Sequence, residues 1–254
     1  MRRLVGGPIH ACETVESTQS VLARLAREGA PEGTVVTADH QTGGRGRRGH
    51  SWWDTPGQSL LMSVLLRPPV TAAETPSLSL VAGLAVADAL ETVAGVASRI
   101  TWPNDVLVQG RKICGVLPEA ASGADGRVAY VLLGIGINLG EHEFPEDLSE
   151  QAISLRQATG VMPDHARVLE AVLDALDRRY AEWLAGGFGA VREAWRRRAC
   201  TLGERVRTAD GRDGIAMDVD DTGALLVDAG EGPPARVVAG AAFITRGGAA
   251  TGSA

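Results

Sequence analysis

Apolar residues recur along the chain first at helical spacing and then at strand spacing. Residues 16–33 predict a helix, because apolar side chains recur every three or four positions and Gly29 stands where helices often end. Apolar runs at 33–40 and 58–68 predict two strands, the second mostly buried. The glycine-rich segment between these runs is therefore expected to connect two strands of a sheet.

The middle of the chain predicts a long core helix followed by hairpin strands. Residues 76–95 carry apolar side chains along one helical face. Short strand-like runs separated by turn residues follow at 98–103, 105–110, 112–120 and 127–140. Because adjacent strands of this kind favour hairpins, we predict an α+β fold with a mixed sheet, packed by helices at 165–185 and 189–200.

The end of the chain has a different pattern. From about Leu202, short valine-rich runs alternate with turn signals such as DG and DDTG, which predicts a small β-barrel. We therefore divide the chain into a larger domain at 1–200, a small barrel at 201–247 and a tail at 248–254. The tail has nothing to bury and is expected to be disordered.

Composition and charge narrow the function classes. The chain has 254 residues with 44% hydrophobic content, enough for a full core, and its net charge of −6 disfavours a general affinity for nucleic acids. Three widely spaced cysteines and no histidine motif predict no metal site. Without a signal-peptide pattern or an 18-residue apolar stretch, we predict a cytoplasmic protein that does not enter membranes.

The loop at 40–54 contains the first candidate chemistry. Its glycines free backbone N–H groups to converge on an anion, and Arg45, Arg47 and Arg48 add planar donors suited to phosphate or carboxylate. The residues alone leave three interpretations open: a nucleotide or other anion site, a solvated surface loop, or a nucleic-acid-binding segment. If Trp52 and Trp53 lie in a strand, one is expected to line the site and the other to pack in the core.

The segment 101–117 contains the second candidate. Lys112 begins an apolar strand, where it is either an edge-strand lysine that prevents aggregation or a point charge that stabilises a carboxylate and a phosphate. Asn104, Asp105 and Asn138 either cap turns or present polar groups to a ligand. Cys114 is expected to be a buried small hydrophobe, and the arginines at 196–198 a solvated helix face.

Four segments in order, 16–19, 41–53, 101–117 and 134–139, resemble biotin protein ligases, and the end of the chain resembles the SH3-like domain of that family. The resemblance implies a class II synthetase-like catalytic domain at 1–200. It also implies that biotin and ATP, with Mg²⁺, give biotinyl-5′-AMP. Biotin then passes to a lysine of a biotin carboxyl carrier domain of acyl-CoA carboxylases.

The same resemblance assigns roles to individual residues. Catalytic roles fall to Lys112, Arg45 and Arg47. The biotin side is assigned to Ser17, Thr18, Gln19, Gln41, Arg45, Gly46, Arg47, Lys112 and Gly115. The ATP side is assigned to Arg47, Arg48, Trp52, Asn104, Asp105, Lys112, Asn138 and Arg246. Because two anions must react, the site is expected to supply positive charge and a loop that closes over the ligands.

The chain departs from the family pattern at two positions. Gln19 stands where many members have Asn, and Thr101 stands where a lysine commonly precedes the WPND segment. Only 16 residues precede the STQ segment, so we expect no winged-helix domain and no DNA binding. We expect a monomer or weak homodimer, with the arginine loop disordered before ligand binding. The alternatives are a lipoate or octanoate ligase of similar fold, and a nucleic-acid-binding module that uses the RGRRG loop.

Overall fold

A seven-stranded mixed sheet and a five-stranded antiparallel sheet organise the protein. The computed structural model describes residues 3–123, 125–141, 143–208, 211, 213–230 and 232–238, and the backbone of 242–244. The strands are β1 Ile9–Val15, β2 Val35–Gln41, β3 Ser59–Leu66, β4 Ser98–Thr101, β5 Asp105–Val108, β6 Arg111–Ser122, β7 Val128–Asn138, β8 Arg205–Thr208, β9 Asp213–Val219, β10 Leu225–Asp228, β11 Ala235–Val237 and β12 Ala242–Ile244. The helices are α1 Thr18–Arg27, α2 Ser77–Ala94, α3 Glu146–Ser149, α4 Leu155–Thr159, α5 His165–Gly186 and α6 Gly189–Arg198.

The larger sheet has the order β1-β2-β3-β7-β6-β5-β4. β1 runs parallel to β2, and the other neighbours in this sheet are antiparallel. The predicted mixed sheet with hairpins is therefore confirmed. β1 was not predicted from the sequence, because its side chains are exposed or half-buried on both faces and show no apolar alternation.

One face of this sheet packs against α2. Alternate residues of β7, Val131, Leu133, Ile135 and Ile137, point into the same core as α2, α5 and α6. The predicted core helix is confirmed, although α2 has the length and apolar composition of a membrane-spanning helix, which contradicts the expectation that the chain has no such stretch. Because 72% of that apolar window is buried inside the protein, its apolar character is accounted for by the core.

The opposite face packs against α1 at one end and remains open at the other. Leu22 and Ala26 of α1 form a second small core with Val36, Leu65 and Leu132. The predicted helix is confirmed, and Gly29 follows it with φ +90°, a left-handed conformation that glycine adopts without strain. The open end of this face lies beside the glycine-rich loop, which connects β2 to β3 as predicted.

The C-terminal sheet is the predicted small SH3-like barrel, with the strand order β11-β10-β9-β8-β12. Its core includes Val206, Ala216, Val219, Leu225 and Val227. The segment between α6 and β8 runs along the edge of β4, where the Cys200 N–H donates to Ile100 O at 2.9 Å. The tail at 248–254 and Arg246 lie outside the described residues.

The arginines at 196–198 do more than form a solvated face. Arg196 donates to Asp218 of β9, so α6 is tied to the C-terminal sheet. Arg198 donates to Asp88 of α2 at 3.1 Å. Arg196 and Arg197 are exposed, as predicted, whereas Arg198 is half-buried. The ion pairs were missed because partners distant in sequence give no local signal.

Removing buried volume from α2 tests its role as the main core helix. Leu84 of α2 is 1% exposed, so Leu84→Ala is expected to lower the free energy of unfolding in urea by about 2–5 kcal/mol. The matched control is Leu184→Ala on α5, where the side chain is 37% exposed and the change is expected to be within about 0.5 kcal/mol. Equal losses in the two variants would contradict the packing described here.

Candidate active site

The open end of the larger sheet forms a cavity of about 800 Å³. Its walls come from the start of α1, the loop between β2 and β3, strands β5 to β7, and the segment 144–152. The predicted site residues that line it are Ser17, Thr18, Gln19, Gln41, Arg45, Gly46, Arg47, Arg48, Trp52, Asn104, Asp105, Lys112, Gly115 and Asn138. The structure therefore brings together every predicted site residue that it describes.

Two glycines on adjacent strands form the floor of the cavity. Gly115 of β6 lies opposite Gly136 of β7, and the indole ring of Trp52 packs against both. A Cβ at Gly115 would lie 2.9 Å from a Trp52 ring atom, and one at Gly136 would lie 2.7 Å from another. Since real Cβ atoms do not approach this closely, only glycine admits a flat ring at these two positions.

Lys112 stands beside this floor as the central cation. Lys112 pairs with Leu107 of β5 on one side and bridges to Ala152 on the other, so its backbone is not at a free edge and the edge-strand interpretation was wrong. Its Nζ lies 2.8 Å from Asp105 Oδ1 and 5.8 Å from the centroid of the Trp52 ring. The ion pair and the cation–π contact therefore hold the ammonium group inside the cavity.

The arginine loop folds over the cavity as a small hairpin. The Gly46 N–H donates to His50 O at 2.7 Å, and the Trp52 N–H donates to Gly44 O at 3.0 Å. Arg47 Nη1 donates to Asn104 Oδ1 at 3.1 Å, and Arg45 pairs with Glu119. The loop is thus fastened to β6 and to the turn between β4 and β5 by its arginines.

Burial changes the acid–base properties of two groups near the cavity. Burial lowers the pKa of Arg47, as does the charge of Arg48, whereas Asp105 raises it. Burial, followed by the charge of Asp105, raises the pKa of the Cys114 thiol, with Lys112 acting in the opposite direction. Cys114 is fully buried, as predicted, and it belongs to the core rather than to the site.

The start of α1 closes the other end of the cavity. The Thr18 N–H donates to Gln41 Oε1 at 2.7 Å, so Gln41 satisfies an N–H group of the first turn, where the Ser17 side chain makes no capping hydrogen bond. Gln19 Nε2 donates to Leu117 O at 3.0 Å and to Leu132 O at 3.3 Å. The side-chain amide of Gln19, which is longer than that of the Asn common in the family, thus bridges β6 and β7.

Asn138 has an amide oxygen without a partner in the described part of the structure. Its Nδ2 donates to Ile153 O at 3.3 Å, while Oδ1 is buried and accepts no hydrogen bond there. The residue is 3% exposed and lines the cavity. Because buried polar atoms are nearly always paired, this oxygen is a candidate ligand contact.

The prediction for the second tryptophan was wrong. Trp53 does not pack in the core: it is half-buried and lines the cavity, and its ring lies 5.6 Å from that of Phe144. Residues 52 and 53 lie outside the strands, so the alternation rule did not apply to them. Sequence reasoning also missed Phe144 and Gln151, for which a polar loop gives no periodic signal.

A metal centre is not evident in the described ranges. They contain no group of three or more His, Cys, Asp or Glu side chains that could hold an ion. His40 pairs with Asp54 at 2.9 Å at the base of the loop instead of facing further ligating side chains.

Comparison with known proteins defines the class to which this chain belongs. The family model for the biotin/lipoate A/B protein ligase family matches residues 11–138. The match covers half of the chain and includes every described residue of the predicted site. The protein therefore belongs to the biotin/lipoate A/B protein ligase family.

Individual relatives extend this similarity to most of the chain. The bifunctional ligase/repressor BirA of Bacillus subtilis is 40% identical over 225 residues, which are 87% of this chain and 69% of that protein. The biotin–[acetyl-CoA-carboxylase] ligase of Paracoccus denitrificans is 38% identical over 246 residues, 92% of this chain and 98% of that one. The biotin protein ligase from Aquifex aeolicus, solved in complex with biotin and ATP, has a TM-score of 0.82 and 30% identity, covering 94% and 99% of the two chains.

Proposed function

We propose that this protein is an ATP-dependent biotin protein ligase, which forms biotinyl-5′-AMP and transfers the biotinyl group to a lysine of a carrier domain. The observation that carries the proposal is the cavity itself, where Lys112 and three loop arginines surround a floor of two glycines. The named activities of the Paracoccus denitrificans and Aquifex aeolicus relatives support it.

The first step joins two anions. A carboxylate oxygen of biotin attacks the α-phosphorus of ATP, an oxygen–phosphorus bond forms, and pyrophosphate leaves. Lys112 can stabilise both anions because its ammonium group is already positioned by Asp105 at 2.8 Å. Arg47 adds a second fixed cation, held by Asn104.

The second step uses the mixed anhydride as an acyl donor. A lysine amine of the carrier attacks the biotinyl carbonyl, an amide bond forms, and AMP leaves. The loop over the cavity excludes water, which would otherwise hydrolyse the anhydride. For the transfer, the loop therefore has to move enough to admit the lysine side chain of the carrier while it still shields the adenylate from water.

Mg²⁺ would enter with the phosphates of ATP. This ion takes few protein ligands and prefers carboxylate, carbonyl and water oxygens. Asn138 Oδ1, which accepts no hydrogen bond from the described residues, and the carboxylates of Asp105 and Glu150 are among the cavity oxygens that fit this preference. The ion would offset the charge that develops on pyrophosphate.

The proposal extends to the partner and the domains. We assign catalysis to 1–200 and the SH3-like domain to 201–247, with the carrier domain of an acyl-CoA carboxylase as acceptor. We also propose a cytoplasmic monomer or weak homodimer without affinity for DNA or membranes, in keeping with the net charge of −6.

Biotin-dependent exchange between ATP and radiolabelled pyrophosphate tests the activity. Biotin is expected to support exchange, because adenylate formation is reversible, and lipoate or octanoate is not. Exchange with lipoate alone would favour a lipoate ligase. A gel shift on RNA or DNA that weakens steeply with salt would favour the nucleic-acid-binding interpretation of the loop.

Substitution of Lys112 tests its role. Lys112→Ala is expected to lower the rate of adenylate formation by about 10²–10³ fold, because it removes a fixed charge from the reacting centre. Since Lys112 is the only lysine in the chain, amine acetylation should modify it and the N-terminus alone, and ATP with biotin should protect it. Wild-type exchange by a folded Lys112→Ala variant would contradict the assigned role.

Limited proteolysis tests closure of the loop. Trypsin is expected to cleave at Arg45, Arg47 and Arg48 in the ligand-free protein, because the ion pair of Arg45 with Glu119 is exposed to solvent and holds the loop weakly, and biotin with ATP should slow this cleavage. Cleavage at Arg127, in the exposed turn before β7, is the internal control and should not respond to ligands. Equal cleavage with and without ligands would argue against closure.

A further inference from the structure

The turn between β4 and β5 supplies Asn104 and Asp105 to the cavity, and the C-terminal domain holds the residue that precedes them. Trp102 begins this turn and is 3% exposed. Its backbone N–H donates to Thr201 Oγ1 at 2.7 Å, and its indole N–H donates to Gly223 O at 2.9 Å. Both acceptors lie beyond α6, about 100 residues further along the chain.

Thr201 is fully buried, and its hydroxyl group makes two hydrogen bonds. Oγ1 accepts from the Trp102 N–H and forms a second hydrogen bond with Thr101 Oγ1, 3.2 Å away, in which either hydroxyl group can be the donor. Thr101 is the residue that stands where the family commonly has lysine. At this position the chain has a threonine whose hydroxyl group bonds to Thr201 of the C-terminal domain.

The second acceptor belongs to the tight turn between β9 and β10. Asp220 Oδ1 accepts from the N–H groups of Thr222 and Ala224, at 2.8 and 3.0 Å, and so fixes the turn that contains Gly223. Gly223 has φ +83°, and a Cβ there would lie 2.9 Å from Ser77 Cα. The turn is therefore packed against the first residue of α2 and has little freedom to shift.

Two further hydrogen bonds hold the β4–β5 turn where it meets the cavity. Ser79 donates to Pro103 O at 2.8 Å, and Asn104 Nδ2 donates to Val116 O at 3.1 Å. Two polar groups of the turn face the cavity. Asn104 Oδ1 accepts a hydrogen bond from Arg47, and the Asp105 carboxylate pairs with Lys112. The two fixed cations of the site thus depend on partners whose turn is anchored partly by α2 and β6 and partly by the C-terminal domain.

We infer that Thr201 and the β9–β10 turn are positioning elements for the nucleotide half of the site, acting through Trp102 on Asn104 and Asp105. This inference rests on the proposed function. The biotin-side contacts of Thr18, Gln19 and Gln41 do not involve the β4–β5 turn. Lys112 and Arg47 serve both substrates, but biotin keeps these separate contacts, so loss of the anchors is expected to weaken use of ATP more than use of biotin.

The test is a pair of Michaelis constants from pyrophosphate exchange. Thr201→Val, which keeps the shape but removes the hydroxyl group, is expected to raise KM for ATP about tenfold or more, because small displacements at a reacting centre are costly. KM for biotin is expected to rise less than KM for ATP, because the contacts of Thr18, Gln19 and Gln41 are kept. Thr201→Ser keeps the hydroxyl group and is expected to restore the wild-type KM for ATP.

A second variant acts on the turn and does not alter the buried Thr201. Asp220→Ala removes the carboxylate that fixes the β9–β10 turn and should raise KM for ATP in the same selective way. Asp228→Ala is its matched control, because Asp228 Oδ1 accepts from the Gly230 N–H at 2.8 Å in the neighbouring β10–β11 turn, whose described residues make no hydrogen bond to Trp102. The control is expected to keep the wild-type KM values.

These outcomes separate the inference from the proposed function. A wild-type KM for ATP in a folded Thr201→Val or Asp220→Ala variant, or an equal rise in both KM values, would overturn the positioning role. If Thr201→Val does not fold, the comparison of KM for ATP between Asp220→Ala and Asp228→Ala tests the positioning role. Absence of biotin-dependent exchange by the unaltered protein would instead overturn the proposed function.

Discussion

Side-chain alternation along β6 and β7 is the constraint on which the site depends. One face of these strands carries Cys114, Val116, Leu133 and Ile135, which bury themselves against α2, and the other face is left with Gly115, Gly136 and Asn138. Because the period of a strand is two, the apolar positions required by the core and the small positions required by the cavity are set together. A one-residue shift of register would destroy both.

The cations of the site divide into two chemical kinds. The loop uses arginines, whose planar guanidinium groups reach several acceptors and remain charged when burial lowers the pKa, as it does for Arg47. The single lysine lies where two anions have to meet and a compact charge is required. Asp105 and Asn104 hold the two kinds in place before any ligand arrives, so little reorganisation is needed during the reaction.

The two departures from the family pattern have local structural explanations. Gln19 directs its amide nitrogen to carbonyl groups of β6 and β7, over the space left by Gly134, where a Cβ would lie 2.9 Å from the Gln19 side chain. Thr101 forms a hydrogen bond with Thr201, where a lysine at this position would add a positive charge. Gln19 and the Thr101–Thr201 pair therefore make contacts within the protein around the cavity. The positive charge of the cavity comes from the loop arginines and Lys112.

Local patterns in the sequence determined the helices α1, α2, α5 and α6, most strands and the C-terminal barrel, because periodicity and turn residues act over a few positions. The ordered motifs also identified fourteen of the described residues that line the cavity, but not Trp53, Phe144 or Gln151. Tertiary structure alone decided that Lys112 is not at a free edge, that Trp53 meets Phe144, that Arg196 and Arg198 have partners on other elements, and that Trp102 is held from the C-terminal domain. Strand order and contacts across about 100 residues arise from long-range packing, which leaves no spacing in the sequence to detect.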